Sequence, residues 1–330
     1  MTRGPVPSIE SFPGMKHALR AALLLLVCVA LTGADAAPPL ATLVLCPPSD
    51  EQFRELFAHP DQWARLRAKT DALLYADHAL GKFTDQELRA WFAAMRPWKL
   101  RLELEVGAIK EWGKTADATF AAERPIWDRV LALGGDLGSV AMDEPLIASR
   151  NFLHEPDQYA LDQTAHFVMM VRARYPRVLI GDIEPYPSVS AHDHLAWLRG
   201  LQQRLVALGG RPLDFYRLDV DWIAFTKSGN GGSWPEVASL SADVKRLGIP
   251  FSLIYWASGY PSEHAQGLAG EDTWYVETMS EGYAFAGLGA RPNQFVLESW
   301  VGAPPRGLPD SDLFSFTGAA LAFERKFVAH

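Results

Sequence analysis

The stretch Val140-Ala-Met-Asp-Glu-Pro-Leu146 is a short apolar run that ends in two carboxylates and a proline. Small and β-favouring residues lead into Asp143 and Glu144, and Pro145 forbids a further ladder hydrogen bond. An acidic pair at the carboxyl end of a strand is costly inside a core. It suits the mouth of a barrel, where strand ends carry catalytic groups. The surrounding chain repeats the same unit. Upstream, Ala41–Cys46, Ala72–Ala76 and Lys99–Val106 read as strands. Helices are expected over Glu51–Lys69, from the Thr84-Asp-Gln-Glu87 capping box to about Arg96, and over Glu123–Leu133. Downstream, helices at Asp157–Tyr175, Ala191–Leu208, Pro235–Leu247, Thr273–Leu288 and Asp312–Val328 alternate with four strands. These are Val178–Glu184, Leu213–Asp221, Phe251–Ala257 and Gln294–Trp300. Eight strand–helix units in one chain predict an α/β fold, a single (β/α)8 TIM barrel. A doubly wound sheet is the alternative, but no Gly-x-Gly-x-x-Gly turn supports it.

Of 330 residues, 48% are apolar and 21% charged, which supports a full core. The net charge of −8 argues against a nucleic-acid partner. Met15–Arg20 is basic, Ala21–Leu31 apolar, and Ala34-Asp-Ala36 offers small residues for cleavage, so residues 1–36 read as a signal peptide whose translation starts at Met15. The protein is then secreted or periplasmic, with no membrane contact after processing, and residues 38–330 form the barrel domain. Cys28 follows Val27 where a lipoprotein signal wants a small residue. Only Cys46 stays after cleavage, so no internal disulfide is expected.

Strand side chains alternate between two faces. Assigning the apolar set of each strand to the helix layer leaves Arg101, Glu103 and Glu105 in the lumen, with Phe215, Arg217, Asp219 and Asp221. The same rule sends Asp182 and Glu184, Ser252, Ile254 and Trp256, and Val296, Glu298 and Trp300 inward. Buried charges persist only when paired, so Glu103 and Asp219 read as structural partners of Arg101 and Arg217. Glu144, Glu184, Asp221 and Glu298, at or near strand ends, read as functional.

Met142-Asp-Glu-Pro145 on the fourth strand resembles the Asn-Glu-Pro signature of clan A glycoside hydrolases. The resemblance implies that Glu144 is the acid/base, with Asp143 in the place of the asparagine that contacts the sugar 2-hydroxyl. The clan places its nucleophile on the seventh strand, where Leu253-Ile-Tyr-Trp-Ala257 has no carboxylate.

Glycoside hydrolysis needs two carboxyls flanking one bond, one protonated and one ionised. Glu144 is one, and Glu298, on a strand opposite the fourth, is the favoured partner over Asp221 and Glu184. Glu184 is alternatively a like charge that raises the pKa of Glu144. Trp112, Tyr186, Trp222, Trp256, Tyr260 and Trp300 lie at or just after strand ends, where they either pack on sugar rings or plug the barrel top. The substrate contacts expected are therefore Asp143, Glu184, Asp221, Glu105, Tyr186, Trp222, Trp256 and Trp300. No cofactor and no metal is assigned. His192 and His194 read as capping or surface residues, although a metal-dependent barrel using the same acids is a rival, and a non-catalytic glycan-binding barrel a second. The expected partner is a carbohydrate, with its identity, linkage and the oligomeric state left open.

Overall fold

The computed structural model describes residues 39–226, 229 and 231–329. The expected signal peptide and its start at Met15 lie outside the described residues. Eight parallel strands close into a barrel in sequence order. They are β1 (Leu43–Cys46), β2 (Ala72–Ala76), β3 (Arg101–Val106), β4 (Leu137–Asp143), β5 (Leu179–Tyr186), β6 (Phe215–Val220), β7 (Phe251–Tyr255) and β8 (Gln294–Glu298). β8 pairs back onto β1 through Val44–Val296 and Cys46–Glu298. The outer helices are α1 (Asp50–Ala58), α2 (Asp85–Trp98), α3 (Ala116–Ala132), α4 (Asp157–Arg174), α5 (Ala191–Ala207), α6 (Trp234–Arg246), α7 (Thr273–Gly287) and α8 (Phe316–Phe323). The expected (β/α)8 architecture is therefore observed.

Local chemistry starts these helices. Ser49, Thr115, Ser190, Ser233 and Ser315 each accept a backbone N–H of the first turn, and Thr84 with Glu87 forms the reciprocal box. The Thr115 cap starts α3 a full turn and more before Glu123, and the helix absorbs Pro125 in its interior. Pro185 does not end β5. It pairs with Asp219 of β6, the loss of one N–H removing one bond and not the strand.

Two apolar layers result. Val44, Leu74, Ala141, Ile183, Phe215, Ile254 and Val296 fill the lumen. A larger layer between barrel and helices includes Trp63, Trp127, Tyr216, Leu253 and Phe323. On β5 the expected parity is reversed. Leu179 and Ile183 face inward, while Asp182 and Glu184 face the helices. The rule failed because both acids find donors outside the barrel. Trp197 Nε1 of α5 donates to Asp182 at 2.7 Å, and the backbone N–H of Leu146 donates to Glu184. Gly181 completes the reversal, since a β-carbon there would overlap the Phe215 ring that plugs the lumen. Among the described residues no helix is long and apolar enough to cross a membrane.

Candidate active site

Above the Phe215 plug a lower polar layer crosses the lumen. Arg217 Nη2 donates to Glu103 at 2.8 Å and to Gln294 Oε1 at 2.8 Å, and Ser252 Oγ donates to the same amide oxygen at 2.7 Å. Gln294 Nε2 closes the ring by donating to Glu103 at 3.2 Å. This is the structural pairing expected of Glu103. Arg101 takes no part, because its guanidinium donates to Pro39 O at the amino end of the barrel.

Nearer the carboxyl ends of the strands lies a cavity of about 260 Å³ lined by Glu105, Asp143, Glu144, Ile183, Asp219, Ile254, Glu298 and Trp300. β3, β4, β6 and β8 each present a carboxyl, and β7 presents Ile254, as the bare seventh strand implied. Alternation along β4 would send Glu144 to the face opposite Asp143. Instead its backbone is left-handed, with φ 56° and ψ 45°, and both carboxyls line the one cavity. That conformation costs a non-glycine residue roughly 1–2 kcal/mol. Strain of this kind at a strand end marks a side chain whose direction matters.

The electrostatics are lopsided. Lys110, in the loop after β3, donates to Asp143 at 2.7 Å. Glu144 has no such partner, and burial, then the Asp143 charge, push its pKa up to about 7 against the pull of Lys110. Glu105 rises to about 7 for the same two reasons, offset by Arg217. Glu298 is 3% exposed and is raised by burial and by Glu105. Glu105 and Glu298 line the same cavity, and the nearness of two buried carboxyls favours one proton between them. Cys46 of β1 stands opposite Glu298 in the β1–β8 register, and burial, then the Glu298 charge, push its thiol well up. Asp219 is raised by burial, then by Glu144 and Glu105, and its Oδ1 has no hydrogen-bond partner among the described residues.

The cavity thus gathers Glu105, Asp143, Glu144, Glu298 and Trp300 of the residues expected from sequence. Trp300 is 49% exposed and rests on Trp256, ring centroids 4.3 Å apart, while Trp256 Nε1 is anchored to Val220 O at 3.0 Å. Trp256 therefore backs the aromatic wall without lining it. The other expected contacts are elsewhere. Asp221 Oδ1 caps the short helix Trp222–Thr226 through Ala224 N, since β6 ends before it. Trp222 begins that helix and packs against the outer core. Tyr186 is buried behind the sheet, donating to Glu236 at 2.7 Å and accepting from Ser233 N at 2.8 Å. Trp112 is exposed outside the cavity, and Tyr260 stacks on His264. His192 is exposed, whereas His194 is buried against Tyr216 and is neither a cap nor on the surface. Among the described residues no group of three or more His, Cys, Asp or Glu side chains is arranged to hold a metal ion.

Three features escaped the sequence reading. Asp219 lines the cavity instead of pairing with an arginine, and Lys110 sits in a loop with no motif around it. The third is a set of carboxylates behind the barrel mouth. Glu123 of α3 accepts Gly107 N at 2.6 Å, Glu184 accepts the N–H groups after Pro145, and Glu277 of α7 accepts Gly259 N at 2.8 Å. Each pins the loop after β3, β4 or β7 from the rear. Acids at buried positions of a helix, such as Glu123, Glu277 and Glu281, were the available signal.

No family model and no curated protein matches the chain. Solved structures do match. An intracellular xylanase from Thermoanaerobacterium saccharolyticum is 12% identical, with 80% of this chain and 89% of that one covered at a TM-score of 0.50. A D-psicose 3-epimerase in the presence of D-fructose is 12% identical, covering 88% and 100% at a TM-score of 0.46. An aldo/keto reductase from Brucella melitensis is 11% identical, covering 88% of each chain at a TM-score of 0.45. At such identities the likeness is one of fold.

Proposed function

We propose that the chain is a glycoside hydrolase that cleaves a poly- or oligosaccharide at the barrel mouth. The observation that carries this reading is a single cavity lined by Glu144 from β4 and by the Glu105–Glu298 pair from β3 and β8. A carboxyl whose pKa is near 7 still holds a proton in mildly acidic to neutral solution and can give it to a leaving oxygen. The Glu105–Glu298 pair keeps one proton and one negative charge, and the charge attacks the anomeric carbon or activates water. Asp143, held by Lys110, orients a hydroxyl, and Trp300 offers its face to a sugar ring. The xylanase with the same barrel supports a sugar-cleaving use of the fold by analogy alone. The basic and apolar segment Met15–Leu31 supports export.

Ile254 favours a second reading, a glycan-binding barrel without turnover, because the seventh strand offers the cavity no carboxyl. Wild type and Glu144→Gln screened against a polysaccharide panel, with and without EDTA, separate these readings. Hydrolysis by wild type, lost in the variant and indifferent to the chelator, is expected. Turnover that survives both changes removes Glu144 from the mechanism, and affinity without any turnover supports the binding barrel.

A further inference from the structure

The hydrogen-bonding inventory of the cavity is one-sided. Every ionisable side chain that lines it is a carboxyl, namely Glu105, Asp143, Glu144, Asp219 and Glu298, and the Trp300 indole is the one other polar group. Hydrolysis accounts for Glu144, the Glu105–Glu298 pair and Asp143, and leaves Asp219. Beyond the Trp300 indole and the protons that hydrolysis assigns to Glu144 and the Glu105–Glu298 pair, no lining amide, hydroxyl, ammonium or guanidinium offers a hydrogen to the ligand. Ionised carboxyls only accept, whereas neutral sugar hydroxyls both donate and accept. A ligand that only donates at one position fits this wall better. Two of these cavity-lining carboxyls are incompletely satisfied, each with one buried oxygen left over. Glu298 Oε2 belongs to a side chain 3% exposed, and neither it nor Asp219 Oδ1 has a hydrogen-bond partner among the described residues. The nearby cations are committed below and beside the cavity, Arg217 to Glu103 and Lys110 to Asp143. An anionic sugar would meet like charge on most sides, and the nearest guanidinium, Arg217, lies below the cavity already paired to Glu103, with only its Nη1 left without a partner among the described residues.

We propose that the sugar unit seated in this cavity carries a free, protonated amine, so that the substrate is a glycan containing non-acetylated amino sugars. The ammonium donates to Asp219 and Glu298, which an N-acetyl group or a hydroxyl at the same carbon cannot match with three hydrogens and a positive charge. Trp300 lies at the rim of the same cavity and presents an aromatic face to the cation. The inference rests on the reading of the cavity as a sugar site.

The test is calorimetric titration of the protein with matched series. Glucosamine and galactosamine, and their short oligomers, are each compared with the N-acetylated and the amine-free counterparts, and manganese or calcium chloride is titrated alone. Hydrolysis of the same oligomers is followed in parallel. Charge-assisted hydrogen bonds in a buried site make the amine series tighter by about ten-fold or more at low ionic strength. Added salt erodes that preference, and Asp219→Asn or Glu298→Gln, each verified as folded by circular dichroism, abolishes it. Equal or weaker binding of the amines overturns the inference, as does tight saturation by a divalent ion alone. Turnover of neutral glycans without amine preference removes this inference and leaves the hydrolase. Amine preference without turnover does the reverse. Failure of every sugar to bind or react removes both.

Discussion

In the lower layer of the lumen, Glu103 on β3 meets Arg217 on β6, and Gln294 and Ser252 close the ring, leaving only Arg217 Nη1 of that ring without a partner among the described residues. Two residues further along those same strands, Glu105 and Asp219 meet other carboxyls. Both layers are buried polar networks in one barrel, yet the lower is balanced and the upper is not. Satisfied networks fix a fold, while unsatisfied ones cost stability and persist where a ligand is to complete them. The contrast separates the paired residues that hold the barrel from the residues on which the proposed chemistry rests.

The sharpest way to break the contrast is Glu144→Gln. Loss of a general acid is worth about 10²–10⁴-fold in rate, so kcat should fall by that range while the melting temperature stays or rises. A large loss of stability would place Glu144 among the structural acids instead. Next, Arg217→Met leaves Glu103 buried without its cation. Breaking such a pair costs about 3–5 kcal/mol, read from denaturant unfolding, and a loss under 1 kcal/mol would mean the lower layer is not a structural unit.

The pH dependence tests the upper layer. Glu105 and Glu144 have native pKa values near 7 against an unfolded value of 4.5, so the native state binds more protons between those limits. Stability should therefore fall as pH rises from about 4.5 through 7, the penalty being absent below that window and complete above it. Glu123 and Asp77, also raised, add to the same slope. Melting temperatures from pH 5 to 8 check the direction, and kcat should decline over the upper end as Glu144 loses its proton. Asp219→Asn is a smaller change. Removing one repelled charge should add on the order of 1 kcal/mol while impairing ligand binding. Smallest of all, Trp300→Ala should raise KM a few-fold, an aromatic contact being worth roughly 0.5–1.5 kcal/mol, with stability unaltered because the ring is half exposed.

Much of this was written in the sequence, and the misses have a common cause. Strand count came from the eight-fold alternation, and the inward face of β3, β6 and β8 came from period two, which placed Glu105, Asp219 and Glu298 correctly. On β5 the same rule pointed the wrong way, because it assigns the face carrying Asp182 and Glu184 to the lumen whereas the acids went to the side where donors waited. Trp197 and the amides after Pro145 are distant in sequence from Asp182 and Glu184, and no local rule finds them. Lys110 was missed for the same reason, its partner lying 33 residues away. Glu144 was found by a resemblance to a short signature. Its orientation depends on a left-handed turn that strand alternation does not foresee.

Phe215, seated over Gly181 and under the Arg217 network, has a consequence for traffic. The barrel has a stopper, so nothing that enters from the carboxyl-terminal side can leave through the other. Whatever binds beside Glu144 comes and goes by one door, the end of the barrel at which Trp300 stands half exposed.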